Sequence, residues 1–253
     1  MDLRLVIELS IFVLLVLWHL SDQGRRLIFL KRKFDENIVD ILSLSIQGML
    51  IPFLQFILIF HVFELIMPSW KNSLHLSDVS GFLINFVIID FFYFLVHRSM
   101  HSDLLWGLHL IHHSSKEMDV IVSSRNSVWT SFFFPYLWLN SLFLFLLENK
   151  VGFILGVSMT AMLDLWRHSY LTMNPTSNLY KVVSLILHTP IHHSWHHSRS
   201  KSRVNFGANI SLWDRLFGTY FHSQEFPKDL GFEVKGDLKT KLFHPFKLRK
   251  ENL

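Results

Sequence analysis

Histidine is the residue type with the clearest chemical pattern in this chain. His188, His192, His193, His196 and His197 fall within ten residues, and two clusters precede them, His97/His101 and His109/His112/His113. Ten of the chain's sixteen histidines lie in these three places. Side chains three or four residues apart share one helix face. His97 and His101 are related as i,i+4; His109, His112 and His113 as i, i+3, i+4; His193, His196 and His197 repeat that pattern. Each cluster is therefore predicted to aim two or three imidazoles at one point. Neutral imidazole suits zinc, iron, copper and nickel. With no cysteine in the sequence, metal ligands must come from His, Asp, Glu or water. Eight clustered imidazoles plus His168 are too many for one four-coordinate zinc; they predict two metals close together. Without metal, each packed imidazole would need a hydrogen-bond partner, and protonating several would build repulsion. His19, His61 and His75 read instead as ordinary interior, interfacial or loop residues, and His222 and His244 as surface residues.

The elements that must position these clusters are apolar. Half of the 253 residues are hydrophobic, 25 are Phe, and only 17% are charged, against about 25% in soluble domains. The length suits one compact unit. The formal charge of +4 is modest, and no basic–aromatic pattern calls for nucleic acid. Leu3 to Leu20 is an apolar run, interrupted by Arg4 and Glu8, about long enough for a transmembrane helix of about 20 residues. An uncleaved signal sequence is the other reading, but a polar, basic segment follows it rather than a small-residue cleavage site. Arg25, Arg26, Lys31, Arg32 and Lys33 then place the next loop on the cytoplasmic side by the positive-inside rule. Ile38 to Met67 is a second long apolar stretch, which Pro52 is expected to kink or split. Val79 to Val96 returns and delivers His97 to the cytoplasmic end. Ser127–Leu147 and Val151–Leu165, joined by a turn at Glu148–Lys150, read as a tight hairpin, fully spanning or re-entrant. Val182 to Leu187 is a short apolar lead into the last cluster, and the polar, basic remainder reads as a cytoplasmic cap. The expected architecture is all-α: a multi-pass membrane bundle with a cytoplasmic histidine-rich metal-binding cap.

The pattern H-x-x-x-H, H-x-x-H-H, H-x-x-H-H resembles the fatty acid hydroxylase/sterol desaturase superfamily of integral-membrane oxygenases. Asp90, Tyr93, His97, Arg98 and His101 resemble its first box, and Trp106, His109, His112, His113 and Ser114 its second. Thr189-Pro190 followed by His193-x-x-His196-His197-Ser198-Arg199 resembles the third. Asn205-Phe206-Gly207 and Trp213 to Tyr220 resemble the closing segment. Arg125-Asn126-Ser127, the doubled His192-His193 and Trp166-x-His168 are similar to the alkylglycerol monooxygenase branch. The resemblance covers roughly Phe82 to Tyr220. It suggests three units: N-terminal transmembrane helices and a basic loop at 1–81, a catalytic domain at 82–220 and a cytoplasmic tail at 221–253.

The resemblance implies a diiron centre that uses O2 to hydroxylate or desaturate a lipid: a fatty acyl chain, a sterol or an ether lipid. His97, His101, His109, His112, His113, His168, His193, His196 and His197 would ligate two iron ions. Asp164 departs from the family pattern, where an amide is usual. It could orient a ligand imidazole from behind, a role preferred over direct ligation, and His188, His192 and Asp90 are placed with it. Asp90 and Tyr93 also admit a plain helix-end role. No flavin, nicotinamide or haem fingerprint is visible, so an external electron-transfer protein or a pterin donor is the expected partner. Two other classes fit the residues less well. A membrane zinc hydrolase would favour H-E-x-x-H, but neither His109–His113 nor His193–His197 encloses an acid, and Glu117 reads as solvent-facing. A transporter would place its ionisable groups near the bilayer midplane, whereas these histidines lie at helix ends; a non-catalytic metal-binding membrane protein stays open.

Overall fold

The computed structural model describes residues 3–245; the last eight residues of the expected 221–253 tail lie outside them. Helix α1 (Leu3–Ser21) meets α2 (Gln23–Leu30) at a bend of 101°. Asp22 stands at the bend and caps α2, its carboxylate accepting from the Arg25 amide at 2.9 Å. Helix α3 (Phe34–Ile66) is one 33-residue helix, and α4 (Asp78–Met100) has 23 residues. Both are long and apolar enough to cross a membrane; α1 and α2 add a third candidate only if the bent pair counts as one span. Pro52 does not split α3. Ile46–Leu50, one residue ahead of it, form a widened π-turn, which relieves the clash between a proline ring and the carbonyl four residues back.

The two apolar runs expected to form a tight hairpin are α5 (Pro135–Leu146) and α6 (Val151–Arg167), but α6 packs along α4 rather than along α5. At 12 residues, α5 covers about 18 Å, short of a hydrocarbon core of about 30 Å. Helix α6 lies close against α4. A Cβ on Gly152 would stand 1.8 Å from the Asp78 carbonyl oxygen, and one on Gly156 2.9 Å from the Asn85 Cβ, so only hydrogen fits at either position. Buried amides tie the layers together. Asn85 Nδ2 donates to Asn140 Oδ1 at 3.0 Å, Thr160 Oγ1 to Asn85 Oδ1 at 3.2 Å, and Asn209 Nδ2 to Thr160 Oγ1 at 2.8 Å. Beside them Ile89, Leu147 and Phe153 form the fully buried apolar core.

After α6 come α7 (Asn178–Ile186), α8 (Pro190–His196), α9 (Leu212–Leu216) and α10 (Leu238–Phe243). The short apolar lead expected at 182–187 is the second half of α7, whose Ser177 hydroxyl caps its first turn. Thr189 caps α8, its hydroxyl accepting from the His192 amide, with Pro190 in the first turn where its missing N–H costs nothing. Among the described residues there is no strand; three isolated bridges, Leu74–Leu147, Leu187–Ile210 and Ser198–Leu230, pin the loops.

Candidate metal centre

Four pieces of chain bring the clusters together. The last turn of α4 carries His97 and is followed at once by His101. A single turn, Trp106–His109, and the 3-10 turn His112–Ser114 carry the second cluster. His168 ends α6, and α8 with its C-terminal residue carries His193, His196 and His197. All nine imidazoles are buried. They form two groups, His97/His101/His109/His113/His196 and His112/His168/His193/His197, and within each group the available ligand atoms lie within 4.8 Å of one another. The clusters therefore do not each aim at one point. The i,i+4 pairs stay together, as periodicity requires, while His112 and His196, at i+3, cross to the other group. The two groups adjoin: His113 and His197, one from each, stack at 4.3 Å between ring centroids.

The nitrogen geometry fits bound cations. Nε2···Nε2 separations are 2.9 Å for His97–His109, 3.4 Å for His112–His168, 3.0 Å for His168–His193 and 3.1 Å for His193–His197. Two nitrogens at about 2.1 Å from one ion stand about 3.0 Å apart at right angles and about 3.4 Å apart at the tetrahedral angle. Several rings are also turned by main-chain acceptors. Nδ1 of His97 donates to the Phe206 carbonyl at 2.7 Å, that of His196 to Val204 at 2.8 Å, that of His112 to Arg125 at 3.1 Å and that of His168 to Asp164 at 2.9 Å. A ring donating through Nδ1 presents a bare Nε2, so His112 and His168 point lone pairs at each other. Both nitrogens of His101 and His113, and the Nδ1 atoms of His109, His193 and His197, are buried without a hydrogen-bond partner. Each group thus brings four or five imidazoles, one nitrogen from each, close enough together to be able to hold a metal ion.

Burial also removes proton competition. It lowers His112 and His196 to about 3, and repulsion from His168 acts in the same direction at both. Burial, followed by repulsion among neighbouring imidazoles, holds His101, His109, His113, His193 and His197 well below the ordinary histidine range. These seven rings are therefore neutral at neutral pH.

Of the remaining candidates Asp164 lies against a ring of the four-histidine group, whereas Asp90, His188 and His192 have other partners. Asp164 Oδ1 accepts from Arg167 Nη2 at 2.5 Å and lies 3.4 Å from His168 Nδ1, and it belongs to neither group of possible ligands. Arg167 is buried and also donates to the Ala208 carbonyl. Asp90 accepts from the amides of Asn209 (2.7 Å) and Ile210 (3.3 Å) and from Trp213 Nε1 (3.1 Å), which ties the closing segment to α4. His188 is 3.0 Å from Asp214. His192 points away from both groups, its Nε2 3.2 Å from His222 Nδ1 and 3.1 Å from the Tyr220 hydroxyl. Two expectations are corrected. His244 is buried, not superficial, and donates to the Gly107 carbonyl at 2.6 Å, with Pro245 packed on Gly107. Glu117 is half-buried with Oε2 sealed from solvent, and that burial raises its pKa.

Asp214 is the residue whose role the sequence pattern did not assign. Its carboxylate accepts from the Phe206 and Gly207 amides at 2.8 and 2.7 Å and from the Thr219 hydroxyl at 2.6 Å. Burial alone would raise its pKa, but the bonds from His188, Thr219 and Gly207 hold it below the usual carboxylate range. It thereby fixes the loop whose Phe206 carbonyl orients His97. An acid between Trp213 and Arg215 in the closing segment was the available signal. Arg125 was noted only as part of a motif; its guanidinium grips Asp40 with two hydrogen bonds of 2.5 and 2.7 Å.

Comparison with known proteins identifies the family. The family model for fatty acid hydroxylase matches residues 82–219. An ornithine lipid hydroxylase of Rhizobium tropici is 31% identical over 158 residues, 61% of this chain and 45% of that protein. Alkylglycerol monooxygenases of Xenopus tropicalis and Homo sapiens are each 28% identical, over 146 and 138 residues, covering 56% and 53% of this chain and 31% and 29% of those proteins. The chain thus spans less than half the length of the curated relatives it matches. No solved structure matches.

Proposed function

The chain belongs to the fatty acid hydroxylase family, and from that premise we propose that it is a membrane-bound oxidoreductase that uses O2 at a two-iron centre to hydroxylate or desaturate a lipid. The observation that carries the proposal is the pair of adjoining all-imidazole groups. The five-histidine group would hold one iron and the four-histidine group the other. Iron bound there would supply the redox chemistry that activates O2 toward a C–H bond.

The chain's own residues perform the tasks around it. Carbonyls of Phe206, Val204, Arg125 and Asp164 hold one nitrogen of four rings and leave the other free. An aromatic wall closes the pocket beside His97 and His109. Tyr93 packs 5.1 Å from His97 and stacks at 4.9 Å on Phe134 and 5.3 Å on Tyr136, while Phe134 lies 5.8 Å from His109. This wall excludes water and offers an apolar surface to an acyl, sterol or ether-lipid tail. Tyr93 lies on α4, a candidate membrane helix, and Phe134 and Tyr136 at the start of α5, so a lipid could reach the wall from the bilayer side. Electrons would come from an external donor, an electron-transfer protein or a reduced pterin. The basic loop before α3 supports a cytoplasmic placement of the centre, with 1–81 as membrane anchor, 82–220 as catalytic unit and 221–253 as tail.

The test is turnover of the purified full chain with membrane lipid, a reductant and isotopically labelled O2 or water. A hydroxylase places label from O2 in the lipid product, and a desaturase consumes O2 and yields a lipid two hydrogens lighter. Label entering from water with no O2 uptake would overturn the oxygenase reading in favour of a hydrolase.

A further inference from the structure

Helix α3 lies outside the residues the family model matches, yet it carries a polar stripe along an otherwise lipid-like helix. Asp40, Ser43 and Gln47 fall at i, i+3 and i+7, so they share one face. That face grips the loop after the second histidine cluster. Asp40 holds Arg125 with hydrogen bonds of 2.5 Å to Nε and 2.7 Å to Nη2. Ser43 Oγ donates to the Asn126 carbonyl at 3.1 Å and accepts from the Asn126 amide at 3.2 Å. Gln47 Nε2 donates to Ser131 Oγ at 2.8 Å. Around Asp40 the charges are buried and balanced: Arg32 also lies 3.6 Å from Asp40 and pairs with Asp119, and the side chains of Arg32, Asp40, Asp119 and Arg125 are 6%, 1%, 2% and 3% exposed. Asp119 in turn caps the Ile121 and Val122 amides at 2.7 and 3.2 Å, at the start of the turn that leads to Arg125.

Arg125 is also the residue whose carbonyl receives His112 Nδ1 at 3.1 Å. His112 is the single member of the second cluster that faces the four-histidine group. A continuous path therefore runs from α3 through Asp40 and the Arg125 peptide to one ligand nitrogen. The hydrogen bonds from α3 end on no ring nitrogen of the five-histidine group among the described residues: His97 and His196 are turned by Phe206 and Val204, on the far closing segment, and the link through Ser127 and Thr130 stops at the Leu108 carbonyl beside His109. We infer that Asp40 is a positioning residue for the four-histidine metal site, so that the N-terminal membrane helix completes one of the two metal sites and not the other. The inference rests on the proposed two-metal reading. Its physical basis is that a buried two-pronged ion pair fixes the backbone it belongs to, whereas an exposed one does not, and that groups orienting a ligand imidazole tune metal affinity.

The experiment is a metal titration of the full chain in detergent, with melting temperature and monodispersity recorded alongside. Asp40→Asn is expected to weaken one of two ions by about 10- to 100-fold and leave the other unchanged. In a His97→Ala/His101→Ala background, which takes two rings from the five-histidine site, Asp40→Asn is expected to weaken the ion of the four-histidine site. In a His193→Ala background it is expected to change nothing further. Asp40→Glu should restore part of the affinity, and Gln47→Leu, which loosens α3 without touching Arg125, should leave both ions bound. If Asp40→Asn does not accumulate, Arg125→Lys, which keeps the charge and gives up the two-pronged grip, is read in the same way. A folded Asp40→Asn protein that binds both ions as the wild type does, or that loses both equally, overturns the inference and leaves the two-metal reading intact. Wild-type protein that takes up no metal overturns both.

Discussion

His193 and His197 stand one helical turn apart and face the four-histidine group, while His196 between them faces the five-histidine group. The same division splits His112 from His109 and His113. Each cluster thus contributes to two sites or, as with His97 and His101, to one, and no cluster is a complete site alone. Replacing His196 by Ala should therefore remove one ion, not both, and lower turnover by at least about 100-fold, since even the partners behind ligands cost about 10- to 100-fold in affinity or activity; metal analysis beside a turnover assay checks this. The protonation of these rings yields a second expectation. His112 and His196 are lowered to about 3 in the fold, chiefly by burial, against about 6.5 in the unfolded chain. Between those values the unfolded state binds more protons, so the stability these groups provide is full above about pH 6.5 and is lost as pH falls toward 3. Melting temperatures of the metal-free protein between pH 4 and 8 should fall steadily on the acid side, and a flat profile would contradict the buried, neutral assignment. Spacing made eight of the nine histidines legible, because periodicity is local; His168, alone in its stretch, was legible only through the resemblance of Trp166-x-His168. The split between groups was not legible, because it depends on carbonyls of Phe206, Val204 and Arg125 that reach the rings only in the tertiary fold.

Helices α4 and α6 approach so closely that two glycines are obligatory at the contact. Gly152→Ala would drive a methyl into the Asp78 carbonyl, and overpacking of this kind costs about 1–3 kcal/mol. Because α6 ends at His168 and α4 at the His97 turn, the strain should also reach both metal groups. The expected outcome is a lower melting temperature together with weaker metal binding; a change in neither would mean that the two helices do not pack as described. The apolar runs of α3 and α4 were readable from hydropathy. Pro52 was harder to read, since its clash is absorbed by a π-turn that no local rule demands. The polar stripe of α3 was hidden for another reason: Asp40, Ser43 and Gln47 look like scattered polar residues until the loop carrying Arg125 is placed against them. His244 was misplaced because its partner, Gly107, is 137 residues away.

Across the whole molecule, apolar helices and a buried polar centre meet along α4. Its exposed Leu83, Ile88, Phe92 and Leu95 suit lipid, while its last turn holds His97. With no native cysteine, single cysteines report topology cleanly. Ser200→Cys, near the metal groups, should react with an impermeant thiol reagent only from the cytoplasmic face, and Ser69→Cys, between α3 and α4, only from the opposite face; labelling of both from one face would overturn the proposed orientation. The central claim, that the three clusters and His168 build two metal sites in a redox enzyme, is tested most directly by counting metals on the purified full chain. The account predicts about two iron ions per chain, bound by a protein that consumes O2 with lipid and reductant. A clean preparation that carries a single ion, or zinc alone with no O2 consumption under any reductant, would contradict it.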